Sequence, residues 1–313
     1  MMFIEPANSP LQEIKSTLLD KHKLRLLVKR DDLLHPLVSG NKWRKLKYNL
    51  QEVSKQGLGS ILSFGGAYSN HIYSLAAAGK IVGIKTIGVI RGEELDPQSN
   101  PTLKFASSCG MKLKFVSREK FREKYSKSFT RELEEEFGSF FLLPEGGSNA
   151  LALPGCAEIV AELNKPFDYI CSPCGTGGTI AGISSALNAH QTALGFSVLK
   201  APGYIKEQVF QLLESTQLPK ARNLEVIEDY HFGGYGKITR ELIAFMESFE
   251  NAHGFAIEPV YSAKMFYGIF DLANKGYFPT GSEIVAVHTG GLQGLYGMES
   301  RIRKIMGSNG NKT

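Results

Sequence analysis

The chain has 313 residues, 42% hydrophobic and 21% charged, with 36 Lys+Arg against 31 Asp+Glu for a formal charge of +5. These proportions suit one large α/β domain or two ordinary ones and exclude bulk disorder. The basic excess is spread along the chain, which argues against nucleic acid as a partner and suits a small anionic ligand. No run of about twenty apolar residues is present, so no membrane partner is expected. The N-terminus, MMFIEPANSP, lacks the basic and apolar regions of a secretory signal. Four cysteines (Cys109, Cys156, Cys171 and Cys174) are too few for a disulfide scaffold in a chain this long. The expectation is a soluble, cytoplasmic, reduced protein. The 33 glycines imply many turns, or backbone that approaches a ligand closely.

In chain order, Leu24–Lys29 reads as a short apolar strand. Trp43, Leu46, Leu50 and Val53 then recur on one face of a helix. Ser60–Phe64 reads as a strand ending in Gly65-Gly66, and Ile72–Lys80 as a helix of small residues. Lys85–Ile90 and Lys112–Val116 are strands around a helix at Pro101–Ser108. Glu119–Phe137 reads as one charged surface helix, and Phe140–Leu143 as a strand closed by PEGGSN.

The second half alternates in the same way: a helix at Ala157–Leu163, a strand at Phe167–Ser172, then a glycine loop and a helix from Ile180. Strands are expected at Phe196–Lys200, Asn223–Ile227 and Glu283–His288. Helices are expected near Ile205–Glu214, Lys237–Glu250, Ala263–Asn274 and Leu292–Lys304, before a disordered tail, GSNGNKT. Strands separated by helices argue for parallel sheets, whose ligands bind at the carboxyl ends of the strands. The glycine clusters fall at those ends.

The most informative cluster is Cys174-Gly175-Thr176-Gly177-Gly178-Thr179, between a strand and a helix. Converging backbone N–H groups and the positive end of the helix make it a candidate phosphate cradle; the alternative is a tight strand–helix turn. A dinucleotide fingerprint needs glycine where Ile180 stands, and a nucleotide P-loop needs Lys where Ile183 follows Gly182. A monophosphate without a metal remains.

Ser39-Gly40-Asn41-Lys42 opens the first long helix. A lysine there is ordinarily solvated, but one at a sheet edge beside a cleft can lose its proton and attack a carbonyl. Lys45 and Lys47 occupy positions that read as exposed. Ser69-Asn70-His71 follows Gly65-Gly66: an ordinary helix N-cap, or a carboxylate site with a hydroxyl. Tyr235, Tyr261 and His288-Thr289-Gly290-Gly291 complete the set. A tyrosine in such a setting is more often a packed core aromatic than an acid. Histidine and carboxylate spacing offers no metal site, and Cys171-x-x-Cys174 has no second pair to complete one. The Gly-x-Ser-x-Gly of a serine hydrolase is missing.

Together, Lys29-Arg30-Asp31-Asp32, Gly40-Asn41-Lys42, Arg44-Lys45-Leu46, Ser69-Asn70-His71, Pro144-Glu145-Gly146-Gly147-Ser148-Asn149, Gly175–Thr179, Gly234-Tyr235-Gly236, Pro259-Val260-Tyr261 and His288–Gly291 resemble, in order, the motifs of fold-type-II pyridoxal-phosphate enzymes. The resemblance is greatest to the group of 1-aminocyclopropane-1-carboxylate (ACC) deaminase and D-cysteine desulfhydrase, and it spans about residues 28 to 300. It implies two open, twisted, mainly parallel sheets flanked by helices. A large domain of 1–45 plus 148–313 would face a small domain of 46–147 across the active-site cleft.

The resemblance also implies roles. Lys42 would hold pyridoxal 5'-phosphate covalently and move the Cα proton. Gly175, Thr176, Gly177, Gly178 and Thr179 would hold the phosphate. Asn70, Ser262 and Thr289 would bind the ring, and Ser69, Asn70 and His71 the substrate carboxylate. Tyr235 and Tyr261 would join Ser69 and Lys42 on the reacting side. Where the deaminases carry Gln after Ser-Asn, this chain has His71, as the desulfhydrases do. Where they carry Glu against the pyridine nitrogen, it has Ser262; desulfhydrases use Thr. The expected activity is therefore a homodimeric lyase acting on a small amino acid by α,β-elimination, D-cysteine to pyruvate, ammonia and sulfide. ACC deamination is the second reading, and a phosphate-ligand binding protein without turnover the third.

Overall fold

The computed structural model describes residues 6–38, 40–219 and 223–307. Ser39 and residues 308–313 of the expected tail lie outside them. Two small elements come first, the strand β1 (Leu11–Ile14) and the helix α1 (Thr17–Lys21), followed by β2 (Arg25–Lys29) and the long helix α2 (Asn41–Lys55). Next come β3 (Ser60–Gly66), α3 (Asn70–Val82), β4 (Lys85–Arg91), α4 (Pro101–Ser108), β5 (Lys112–Val116), α5 (Arg118–Arg122), α6 (Lys127–Phe137) and β6 (Phe141–Leu143). The rest comprises α7 (Ala152–Ala161), β7 (Tyr169–Cys174), α8 (Gly178–Ser185), β8 (Thr192–Ser197), α9 (Tyr204–Glu214), β9 (Leu224–Ile227), α10 (Arg240–His253), α11 (Ser262–Asn274), β10 (Glu283–Val287) and α12 (Glu299–Gly307).

The strands form two sheets. One has the order β1-β2-β10-β7-β8-β9 and is parallel except for β1, which pairs antiparallel with β2 at the edge. The other has the order β5-β4-β3-β6 and is parallel throughout. Parallel strands must be covered on both faces, and here each sheet is. On the large sheet, α1, α10 and α11 close one face around Phe249, Phe266 and Ile269. Helices α7, α8 and α9 close the other around Ile159, Ile180 and Val209. On the small sheet, α2, α3 and α4 cover one side through Leu46, Leu75 and Leu103, while α5 and α6 cover the other through Phe121 and Phe129.

The structure moves several expected elements. β1 and α1 were not anticipated: β1 is a four-residue edge strand with a weak apolar signal. The charged stretch 119–137 is two helices, because Ser117 and Ser126 each accept a backbone N–H as an N-cap. The strand expected at 196–200 is Thr192–Ser197. Buried on both faces, it shows no alternation to locate it. Gly195 is there because a Cβ would lie 3.1 Å from the Cys174 sulfur on the neighbouring strand. The last helix begins at Glu299 rather than Leu292.

The α2 helix joins the two halves. Its Trp43, Leu46, Leu50 and Val53 are buried in the small-sheet core. Its other side packs on α7 so closely that a Cβ on Gly155 would fall 2.0 Å from the Arg44 carbonyl. Arg44 is locked there. It is 2% exposed, forks onto the fully buried Asp31 with Nε–Oδ2 at 3.1 Å and Nη2–Oδ1 at 2.9 Å, and also pairs with Glu162.

Candidate active site

A cavity of about 690 Å³ opens where the carboxyl ends of strands from both sheets meet, the place where parallel sheets bind ligands. Lys42 and Lys45 enter from α2, and Gly66, Ser69, Asn70 and His71 from the β3–α3 turn. The β7–α8 loop contributes Gly175, Thr176, Gly177 and Thr179; Tyr235, Tyr261, Thr289 and Gly290 close the large-sheet side.

Lys42 owes its place to Gly40. Gly40 has a φ of +63°, and a Cβ there would lie 1.9 Å from the Thr289 carbonyl oxygen. No other residue allows this approach, in which the Asn41 N–H donates to Thr289 O at 3.3 Å. The Asn41 side chain reaches Thr179 at 2.9 Å and ties the lysine segment to the glycine loop. The Lys42 amine has no hydrogen bond to a described residue. Burial, and then the nearby Lys45 charge, draw it well below its ordinary value of 10.5. It can therefore supply a neutral amine inside the cavity.

The glycine loop begins at the end of β7. Gly177, at φ +75°, caps α8, and the first N–H groups of α8 have no helical acceptor. Lys45 stands beside this loop and is 2% exposed, which corrects the reading of it as a solvent position. Its Nζ donates to Ser148 Oγ at 2.8 Å, Gly146 O at 3.2 Å and Thr176 Oγ1 at 3.4 Å. A buried cation against open N–H groups suits a phosphate. Gly178 is not part of the cavity wall; a Cβ there would strike Ser148 Oγ at 2.6 Å. Lys47 is about one-third exposed and pairs with Glu158.

Ser69 performs the N-cap role, accepting the Ile72 N–H at 3.3 Å, while also lining the cavity. Asn70 Oδ1 accepts from Gln293 at 3.0 Å, and its amide faces Gly291, where a Cβ would lie 2.5 Å away. His71 is 2% exposed. The Ser63 hydroxyl donates its proton to Leu143 O at 2.7 Å, so its oxygen accepts from His71 Nε2 at 2.8 Å. That leaves His71 Nδ1 as a buried lone pair without a partner among the described residues. Burial, with Lys42 and Lys45 nearby, holds the ring neutral. In this form His71 has no free donor for the carboxylate contact expected of it; it offers an acceptor instead.

Tyr261 and Tyr235 meet edge to face, with their hydroxyls 3.4 Å apart. Burial, and then Tyr235, push Tyr261 well above 10, so it keeps its proton. Ser262 is fully buried and stands behind the cavity wall rather than in it. Its hydroxyl accepts from the Glu258 N–H at 2.9 Å and lies 3.2 Å from the Glu258 carboxylate. That carboxylate in turn accepts the N–H groups of Val260, Tyr261 and Ser262. Thr289 does line the cavity.

Cys171 and Cys174, three apart on a strand, point to opposite faces and belong to different cores. Burial pushes the Cys174 thiol up to about 12. Sequence reasoning passed over Lys45, Arg91, Glu145, Lys200 and Tyr204 as cavity residues. Of these, Lys45 was detectable, because Lys42, Lys45 and Asn49 share the i, i+3, i+7 stripe of α2.

The residues fit a ligand with one phosphate and one reactive carbonyl: an amine with a lowered pKa, a glycine cradle and a buried cation between them. Comparison with known proteins agrees. The family model "Pyridoxal-phosphate dependent enzyme" matches residues 4–290. A Pyrococcus abyssi protein of the deaminase group is 32% identical over 285 residues, covering 86% of this chain and 85% of its own. A mitochondrial Arabidopsis thaliana protein named as a bifunctional D-cysteine desulfhydrase/1-aminocyclopropane-1-carboxylate deaminase is 31% identical over 309 residues, covering 90% of this chain and 76% of its own. The crystal structure of an ACC deaminase homologue superposes with a TM-score of 0.83 at 27% identity, covering 96% of this chain and 94% of that one. The family model over residues 4–290, with relatives 31–32% identical over most of the chain, places this chain in the pyridoxal-phosphate-dependent enzyme family, within the group of ACC deaminases and D-cysteine desulfhydrases.

Proposed function

We propose that the chain catalyses α,β-elimination from a small amino acid, with D-cysteine as the preferred substrate. Pyridoxal phosphate, when bound, draws electrons from Cα and so acidifies its proton. Lys42 would hold it, Lys45 and the Gly175–Thr179 loop would take its phosphate, and Asn70 and Thr289 would position the ring, with Ser262 behind the wall bound to Glu258. The α-carboxylate fits the Ser69–Asn70 turn. Lys42, with its lowered pKa, accepts the Cα proton. The protonated Tyr261 and Tyr235 hydroxyls stand across the cavity to protonate the departing thiolate. The Cα–H and Cβ–S bonds break, sulfide leaves, and one water completes the conversion to pyruvate and ammonia.

The observation that carries the choice of substrate is the acid content of the cavity. Among the described residues that line it, Glu145 is the sole carboxylate, and it is paired with Lys124 at 3.4 Å. The nearby Glu258 carboxylate is occupied by three backbone N–H groups. Without a free acid to keep the ring nitrogen protonated, the cofactor is the weaker electron sink, and a substrate with a good leaving group is favoured. The thiol of cysteine provides one; the ring of ACC does not. ACC deamination is the second reading, supported by the names of relatives such as the Bradyrhizobium sp. ACC deaminase, 28% identical over 301 residues. The proposal keeps the division into 1–45 plus 148–313 and 46–147, a homodimeric state, and a reducing, cytoplasmic setting in which the free, mostly buried thiols persist.

The test is a panel of D- and L-cysteine, β-chloro-D-alanine and ACC, scored for pyruvate, 2-oxobutyrate, sulfide and ammonia. Pyruvate and sulfide from D-cysteine at a higher kcat/KM than 2-oxobutyrate from ACC supports the proposal. Equal or faster turnover of ACC transfers the assignment to deamination. A yellow protein that converts no amino acid is a binding protein.

A further inference from the structure

A second cavity, of about 580 Å³, adjoins the first and shares Gly66, Arg91, Glu145 and Tyr235 with it. It lies beyond the carboxyl ends of β3 and β4, under the loop after β4 and the short α5. Its lining carries four cations, Arg91, Arg118, Arg122 and Lys124, against two carboxylates, Glu94 and Glu145. Both carboxylates are engaged: Glu94 pairs with Arg118 at 2.6 Å and Glu145 with Lys124 at 3.4 Å. Arg91 and Arg122 have no carboxylate partner among the described residues. The position of Arg91 is defined nonetheless. Its guanidinium lies 5.8 Å from the Phe121 ring centroid, and its Nη2 is 3.6 Å from where a Cβ on Gly66 would be. It therefore stands over the turn that leads to Ser69, on the wall common to both cavities.

An unpaired arginine on a convex surface is simply solvated. This one faces a concave space that opens into the amino-acid site, with positive charge in excess around it. Arginine suits planar, bidentate contact with a carboxylate or its sulfonate and phosphate analogues. We propose that Arg91 recognises a second anionic group at the end of the substrate's side chain, with the Arg122 charge reinforcing it from the outer part of the second cavity. Beside D-cysteine, the two cavities together then accept cysteines whose sulfur carries a leaving group ending in a carboxylate, sulfonate or phosphate, which reaches from the first cavity into the second. The proposal rests on the reading of the first cavity as the amino-acid site, whose Ser69–Asn70 turn already accounts for the α-carboxylate.

The test uses inert acids matched in length. Succinate against butyrate, and glutarate against pentanoate, are titrated calorimetrically into the cofactor-loaded protein at low ionic strength. One charge-assisted contact should favour at least one diacid over its monoacid by about tenfold or more. Arg91→Gln should bring that ratio close to one, and Arg91→Lys should restore part of it. Three results overturn the proposal: no diacid preference in the wild-type protein, a preference that survives Arg91→Gln, or an equal weakening of monoacids and diacids by Arg91→Gln, which would assign Arg91 to the α-carboxylate. The titration needs no turnover, so failure to make any keto acid overturns the proposed function and leaves this measurement standing.

Discussion

The Asp31–Arg44 pair holds the reactive helix in place, and its removal should be costly. Asp31 is fully buried and accepts three hydrogen bonds: Ser9 Oγ at 2.6 Å, Arg44 Nη2 at 2.9 Å and Arg44 Nε at 3.1 Å. Asp31→Ala leaves a buried guanidinium with Glu162 as its remaining close partner. Breaking a buried pair from one side costs about 3–5 kcal/mol. Because Glu162 still compensates, the lower part of that range applies, about 3 kcal/mol. With a urea m-value of about 2–3 kcal/mol/M, the midpoint should fall by about 1 M or slightly more. Glu162→Gln is the control. Its side chain is 41% exposed, so losing it should cost about 1 kcal/mol or less. Arg44 is two residues from Lys42, so Asp31→Ala should also weaken cofactor binding while Glu162→Gln leaves it near the wild-type value. Equal midpoint shifts for the two variants would refute the claim that the buried partner anchors α2.

Four other outcomes are expected. Lys42→Ala should abolish turnover and the covalent, borohydride-fixable attachment of pyridoxal phosphate, read by peptide mapping, because the lowered-pKa amine is lost; attachment at Lys45 would contradict it. Lys45→Met removes the cation beside Ser148 and Thr176 and should raise the cofactor dissociation constant at least about tenfold, read by fluorescence titration. Gly177→Asp puts a negative side chain where φ is +75° and a Cβ would lie 3.2 Å from Val209; cofactor affinity should fall severely, and an unchanged affinity would dispose of the cradle. The last concerns acid. Burial would raise the Glu162 carboxyl, but hydrogen bonds from Arg44 and Lys29 outweigh it and hold it at about 2, below its ordinary 4.5. Its contribution to stability is thus present above about pH 4.5 and lost as the pH falls toward 2; urea midpoints of Glu162→Gln and wild type should converge over that window.

Much of this could be read from the sequence, and the exceptions share a cause. The strand Lys112–Val116 and the helix Pro101–Ser108 were placed by local pattern, and the structure adds that Asn100 caps that helix ahead of its proline. The strand at Thr192–Ser197 was displaced because burial on both faces erases the alternation that would locate it. The site loops announced themselves through glycine, since Gly40 and Gly177 adopt backbone conformations or approaches that other residues resist. Lys45 could have been placed by the stripe it shares with Lys42 and Asn49, but Arg91 and Glu145 could not be placed from pattern alone. Whether a charged residue meets water or a cavity depends on what the rest of the chain brings opposite it.

That dependence is clearest on α2. Its apolar stripe, Trp43, Leu46, Leu50 and Val53, is the seam of an ordinary amphipathic helix packed on the small sheet. An ordinary amphipathic helix would turn its remaining side to solvent. This one is also pressed against α7, because Gly155 removes the Cβ that would hold the two apart. The polar stripe of Lys42, Lys45 and Asn49 is thereby enclosed, and each member answers enclosure differently. Asn49 is satisfied by Asn149 and the Lys45 carbonyl. Lys45 is satisfied by Gly146, Ser148 and Thr176. Lys42 alone of the three finds no hydrogen-bond partner among the described residues, and it is the one whose amine faces the cavity with its charge disfavoured. The reactive group is thus the member of a polar stripe that packing has enclosed and left unpaired, at the point where the two sheets open toward each other.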